Sequence, residues 1–250
     1  MAKPSLLLLH GFGQNSSIWG PVAAEITTGV VCAPDLRGHG TASSKRPINT
    51  EHLVSDVLEL GRQMERPILA GYSMGGRVAM RAALADQSLF GGLVLISTSA
   101  GIESPTDRVA RRNQDELLAV ALEDSGHEGF EAIWQKSQLW EGDAPSVMQR
   151  AVLARSQTPA PDLAASLRGF GTGTVEPVWS RLPTLQLPTL VICGQRDSAY
   201  CELGARMSRL VPGAAFETIP GAGHSLPVES PTELAGAIER FSRRLRPEES

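Results

Sequence analysis

The sequence predicts an α/β fold, a mostly parallel sheet of about six strands with helices on both faces, and three observations predict it. Short apolar runs alternate with helix-like stretches along the chain, which is the rhythm of βαβ units. The runs are continuously apolar rather than alternating, as strands buried on both faces require. The stretch Gly71-Tyr72-Ser73-Met74-Gly75 joins one such run to a small-residue helix, the pattern of a serine held on a sharp strand-to-helix turn.

Leu6–Leu9 reads as the first strand, with a helix following over 19–26. Val30–Ala33 reads as the second, with a helix over 51–64. Ile68–Ala70 is the third and passes through the serine turn into a helix over 74–85. The glycines of that turn leave room where a Cβ would collide with neighbouring elements. After the fourth run, Leu93–Ser97, the rhythm breaks. Roughly ninety residues precede the fifth, Leu190–Cys193, too many for a structureless loop in a compact domain. Helical patterns over 107–122, 129–139, 146–156 and 163–169 mark an inserted lid. A helix over 202–210, the strand Ala215–Ile219 and a helix over 231–245 complete the chain. The expected organisation is a core of residues 1–98 and 187–250 with a helical lid over 99–186, and a frayed tail at 246–250.

The 250 residues suffice for one domain with a large core. A net charge of −4 gives no footprint for nucleic acid or an anionic membrane. Residues 1–5 run straight into Leu6–Leu9, an apolar stretch far too short to span a membrane and without a signal-peptide pattern. Cys32, Cys193 and Cys201 have no metal-ligand spacing; Cys32 and Cys193, in apparent strands, are read as buried free thiols, which makes the cytoplasm the expected compartment. His10 and His39 read as loop-stabilising residues, and His52 and His127 as solvated ones. No combination of them suggests a metal site.

A serine hydroxyl is a poor nucleophile or base until a histidine takes its proton and a carboxylate orients that histidine. Ser73, Asp197 and His224 occur in the order serine, acid, histidine, each just beyond an apparent strand, where sites of open parallel sheets lie. Alone, Asp197 reads equally well as a helix N-cap, and His224 as a surface-loop residue. Together they point to a triad. The backbone N–H groups of Phe12, in the glycine-rich turn after the first run, and of Met74 are the expected oxyanion donors.

Arg77 lies four residues after Ser73, on the same helix face. A guanidinium there, beneath a lid, needs an anion, and its fork suits a carboxylate; the alternative is an internal salt bridge. Arg111 and Arg155 come from lid helices and either converge on the same pocket or lie on the surface. If all three converge, the pocket faces a polyanionic small molecule.

These residues together resemble the α/β-hydrolase superfamily over essentially the whole chain, and within it the 2-succinyl-6-hydroxy-2,4-cyclohexadiene-1-carboxylate synthases of menaquinone biosynthesis. The likeness runs through Leu9-His10-Gly11-Phe12 with Trp19, Asp35-Leu36-Arg37-Gly38-His39-Gly40 and Gly71-Tyr72-Ser73-Met74-Gly75-Gly76-Arg77. It continues through Arg108-Val109-Ala110-Arg111-Arg112, Trp134, Gln138-Leu139-Trp140, Ala154-Arg155-Ser156 and Gly171-Thr172-Gly173 to Pro177 and Trp179.

The resemblance implies the α/β-hydrolase fold, here without the two N-terminal strands of the full superfamily sheet, because only nine residues precede His10. It implies a lyase that eliminates pyruvate from 2-succinyl-5-enolpyruvyl-6-hydroxy-3-cyclohexene-1-carboxylate, with the triad as base and no cofactor. Tyr72, Arg77, Arg111, Trp134 and Arg155 would bind the substrate, although Trp134 could equally serve lid packing. Family members often carry a lysine shortly after the triad acid, where this chain has Ser198-Ala199-Tyr200. Two rivals stand beside this reading: a carboxylesterase or C–C bond hydrolase with Ser73 as true nucleophile, and a ligand-binding receptor without chemistry.

Overall fold

The computed structural model describes residues 5–27 and 29–245. The frayed tail expected at 246–250 lies outside these residues, as do residues 1–4 of the N-terminal stretch. Six strands, β1 (Ser5–Leu9), β2 (Val30–Cys32), β3 (Ile68–Tyr72), β4 (Gly92–Ile96), β5 (Thr189–Gly194) and β6 (Ala215–Ile219), form one sheet in the order β2-β1-β3-β4-β5-β6. Every neighbouring pair is parallel. The chain winds outward in both directions from β1 and β3, so those central strands are covered on both faces and carry nearly unbroken apolar sequence.

Residues of alternating parity serve opposite faces. Leu7, Leu9, Leu69, Leu93, Leu95 and Val191 belong to one apolar cluster. It takes Leu53 and Val57 from α2 (Thr50–Arg62), Val78 and Met80 from α3 (Met74–Ala85), and Met207 from helix Ser198–Leu210. Leu6, Leu8, Ile68, Ala70, Val94, Ile96 and Ile192 belong to the other cluster, with Val22 from α1 (Gly20–Glu25) and Leu234, Ile238 and Phe241 from the final helix, Pro231–Arg244.

Between β4 and β5 the chain forms α4 (Pro105–Trp134), α5 (Pro145–Ser156) and α6 (Ala160–Phe170). The two lid helices expected over 107–122 and 129–139 run together as α4, which stops at Trp134 rather than 139 and bends at Gly126, whose φ of 63° and ψ of −155° are non-helical. These helices keep a small apolar cluster of their own: Leu118, Ala119, Leu122, Phe130, Leu163, Ala164 and Leu167. By contrast Val175, Val178, Trp179, Leu182, Leu185 and Leu187 pack into the cluster under the sheet. The segment from 175 onward therefore joins the core physically, although it precedes the boundary expected at 187. After β5 come α7 (Ser198–Leu210), β6, the short α8 (Leu226–Glu229) and α9 (Pro231–Arg244).

The cysteine reading needs correction. Cys193, at the end of β5, is bonded to Cys201 in α7, with Cα atoms 5.5 Å apart. The turn between strand and helix returns the chain close enough for a bridge that the eight-residue separation did not suggest. Cys32 is a free thiol but only partly buried. Cysteine usage therefore no longer speaks for a reducing compartment. Among the described residues no helix is long and apolar enough to cross a membrane.

Candidate active site

The serine turn is built by steric demand. Ser73 has φ 50° and ψ −111°, a positive-φ conformation between β3 and α3 that holds its side chain clear of both elements. A Cβ on Gly71 would meet the Gly75 backbone, and one on Gly75 would run into the carbonyl oxygens of Leu9 and His10. The helix thus sits directly against the end of β1. Ser73 N–H donates to Ile96 O at 2.9 Å, and Thr98 Oγ1 donates to Ser73 O at 2.7 Å.

The structure brings Ser73, Asp197 and His224 together from three strand ends. In the neutral tautomer that a base requires, His224 Nδ1–H donates to Asp197 Oδ2 at 2.7 Å, and Ser73 Oγ–H donates to His224 Nε2 at 3.2 Å. The imidazole is almost fully buried. Asp197 occupies the N-cap position of α7, yet its side chain makes no cap hydrogen bond; its carboxylate is turned to the histidine instead.

A cavity of about 760 Å³ opens over this constellation, within the range of small-molecule sites. Of the residues expected to bind substrate or stabilise charge, Phe12, Tyr72, Met74, Arg77, Arg111 and Trp134 all line it. Phe12 follows β1, and Met74 opens α3, whose first N–H groups have no partner within the helix. Trp134 both lines the cavity and packs under the cap: its ring stacks on Phe130 at 5.4 Å and meets Phe12 and Trp140 edgewise at 5.9 Å.

The three arginines part company. Arg77 is buried beside the cavity; its guanidinium lies 5.6 Å from the Phe170 ring centroid, its Nη2 donates a long bond to Phe170 O at 3.4 Å, and its Nε has no hydrogen-bond partner among the described residues. Among the described residues no carboxylate lies within ion-pair distance of it. Burial, with Arg111 nearby, lowers its pKa to about 10, so it remains charged at neutral pH. Arg111 donates through Nε to Asp115 Oδ1 at 2.8 Å and is about a third exposed at the cavity wall.

Arg155 does not join them, contrary to expectation. It is absent from the cavity wall and forms a bidentate pair with Glu131, Nε to Oε1 at 2.5 Å and Nη2 to Oε2 at 2.9 Å. Its aliphatic stem fills the space beside Gly13, where a Cβ would lie 2.6 Å from Cγ. A carboxylate on α4 had claimed the cation before any ligand could.

The remaining histidines are structural. His10 Nε2 accepts from Leu36 N–H at 3.0 Å and Nδ1 lies 2.8 Å from Gly11 O. Desolvation lowers its pKa to about 4 and that of His39 to about 3, so both stay neutral. Burial alone would raise the carboxyl of Asp35, but bonds from Ser16 and Thr41 hold it at about 2, and so fix the loop between β2 and α2. His127, expected in solvent, is half-buried, with Nε2 at 2.9 Å from both Arg155 O and Thr158 O.

Several site residues escaped sequence reasoning. Tyr200 lies with its ring 4.5 Å from that of His224 and Trp140 at 6.1 Å. Gln14 Oε1 and Ser166 Oγ are buried at the cavity without partners. Tyr200, three residues beyond Asp197 on the first turn of α7, was within reach of spacing; Gln14 and Ser166 carried no local signal. Among the described residues no group of three or more His, Cys, Asp or Glu could hold a metal.

Residues 6–237 match the model of the alpha/beta hydrolase family. A Bacillus subtilis protein provisionally named 2-succinyl-6-hydroxy-2,4-cyclohexadiene-1-carboxylate synthase is 30% identical, over 96% of this chain and 90% of its own. The Citrobacter koseri protein of that name is 29% identical, over 98% of this chain and 94% of its own. Among solved structures, MenH from S. aureus superposes with a TM-score of 0.91 at 28% identity, covering 98% of this chain and 95% of its own. A thermophilic esterase from Thermogutta terrifontis, solved with malate bound, gives 0.85 at 27% identity, covering 98% and 92%.

Proposed function

The chain belongs to the alpha/beta hydrolase family, and on that premise we propose that it is a carbon–oxygen lyase. It would eliminate pyruvate from 2-succinyl-5-enolpyruvyl-6-hydroxy-3-cyclohexene-1-carboxylate to give 2-succinyl-6-hydroxy-2,4-cyclohexadiene-1-carboxylate. The observation that carries the reading is Arg77, a buried guanidinium one helical turn from Ser73 with no carboxylate partner among the described residues. A charge withdrawn from water is tolerable where a ligand supplies the counter-ion. Arg111 adds a second positive group on the same wall. A substrate with several carboxylates matches that demand, and an ester of a neutral acid does not. The relatives named for the synthase support the same choice.

In this reading His224, oriented by Asp197, takes the hydroxyl proton of Ser73 as Ser73 removes the proton from the ring carbon beside the succinyl ketone. The freed electron pair forms the ring double bond to the adjacent carbon, the existing double bond shifts by one position, and the carbon–oxygen bond to the enolpyruvyl group breaks. Pyruvate leaves as its enolate and takes up a proton. The N–H groups of Phe12 and Met74 hold the negative charge that grows on the ketone oxygen. No acyl-enzyme forms.

Pyruvate release from the freshly generated substrate, followed by ultraviolet absorbance or mass spectrometry, tests the proposal directly. A second reading, serine ester hydrolysis, is favoured by the Ser73–His224 distance of 3.2 Å, which suits nucleophilic attack as well as proton transfer, and by the likeness to the thermophilic esterase. Rapid turnover of p-nitrophenyl acetate with a burst, and no pyruvate release, would select it.

A further inference from the structure

Glu229 lies five residues after His224, at the end of α8 and away from the cavity wall. Its carboxylate nonetheless accepts from the peptide groups on both sides of the histidine. Gly223 N–H donates to Oε2 at 3.0 Å, and Ser225 N–H donates to Oε1 at 3.0 Å. One side chain thus pins the two backbone N–H groups that flank the imidazole's own residue.

That carboxylate is only 8% exposed and needs a cation. Arg196 supplies it, with Nη2 at 2.6 Å from Glu229 Oε2. Arg196 immediately precedes Asp197, so the pair joins the loop of the acid to the loop of the histidine. The same guanidinium donates through Nε to Gly221 O at 2.8 Å and through Nη1 to Glu141 O at 3.4 Å, and it lies 3.8 Å from Asp143 Oδ1. Asp143 Oδ2 in turn accepts from Ser225 Oγ at 3.3 Å. Charge-assisted bonds of this kind are stronger and shorter than neutral ones and fix geometry accordingly.

We propose that Glu229, clamped by Arg196, is a positioning residue for His224: it sets the height and tilt of the imidazole between Asp197 and Ser73 without touching substrate. The inference rests on the reading of His224 as the base, and it is independent of which substrate the cavity takes.

The test compares Glu229→Ala and Glu229→Gln with the unmodified chain in three readouts. These are the rate at which a fluorophosphonate labels Ser73, the downfield proton resonance of the His224 Nδ1–H donated to Asp197, and kcat and KM for pyruvate release. For Glu229→Ala, labelling and kcat fall about tenfold to a hundredfold, as displacement of a catalytic group by about an ångström does. KM stays within about twofold, since Glu229 meets no substrate, and the resonance broadens or shifts. Glu229→Gln keeps one acceptor oxygen and falls between.

A folded Glu229→Ala chain labelled at the unmodified rate, with its resonance unmoved, overturns the proposal; if that variant does not fold, the Gln variant decides by the same readouts. Labelling and resonance need no carbocyclic substrate, so they still decide if pyruvate release is absent. A Ser73 that resists the reagent in the unmodified chain counts against the triad reading itself, and the resonance then decides on Glu229 alone.

Discussion

Arg77 and Arg155 are two long cations withdrawn from water into the same half of the molecule, at 6% and 2% exposure, and they do opposite things. Arg155 is satisfied by the protein: Glu131 takes both its inner and outer nitrogens, and its stem packs beside Gly13. Arg77 is left with the face of Phe170 at 5.6 Å, one long bond to that residue's carbonyl, and an Nε with no hydrogen-bond partner among the described residues. Burial alone therefore does not mark a ligand site. In the function proposed above the missing counter-ion does, because an incoming anion would supply it there.

The largest effect that can break this contrast is on stability. Arg155→Ala leaves Glu131 buried without its cation and should cost about 3–5 kcal/mol by denaturant titration. Arg155→Met combined with Glu131→Leu should recover most of that. A stable Arg155→Ala chain that had lost its activity would instead return Arg155 to the site. Arg77→Ala should do the reverse: pyruvate elimination falls about a hundredfold to a thousandfold in kcat/KM, the size of one lost charge-stabilising donor. Melting should stay unchanged or rise slightly, and retention of activity within a few-fold removes Arg77 from binding.

Asp143 sharpens the comparison from the side of the anions. Its side chain is 1% exposed, and burial, reinforced by Glu229, raises its carboxyl to about 6, from about 3.9 in the unfolded chain. The folded state holds the protonated form, so Asp143 costs nothing below about pH 4 and destabilises progressively as pH rises towards 6. Asp143→Asn should abolish that slope and add about 3 kcal/mol at pH 7, read from melting curves across the range. The smallest effect is a ligand shift. Succinate at ten times its dissociation constant should stabilise the chain by about 1.4 kcal/mol, an increment that Arg77→Ala removes.

Much of the frame was legible because its determinants are local. The run Leu6–Leu9 is apolar at every position because both faces are covered, and Gly71 and Gly75 are glycines because backbone occupies the space of their Cβ atoms. Ser73, Asp197 and His224 meet because each follows a strand, and a parallel sheet gathers its strands' carboxyl ends on one side. What escaped depended on tertiary partners. The Arg155–Glu131 pair spans 24 residues and two cap helices; nothing in either helix names the other. The Cys193–Cys201 bridge needed the angle between β5 and α7. Glu229 looks like any polar residue of a short helix until the two N–H groups beside His224 are seen to converge on it.

The seating of α3 on β1 through Gly75 has an evolutionary consequence. Serine turn and first loop are packed directly on each other, whereas the helices over them hold a small apolar cluster of their own, tied to the body through Phe12 and Phe170. Sequence drift in those helices can therefore alter which molecules are admitted while the reactive centre beneath keeps its shape.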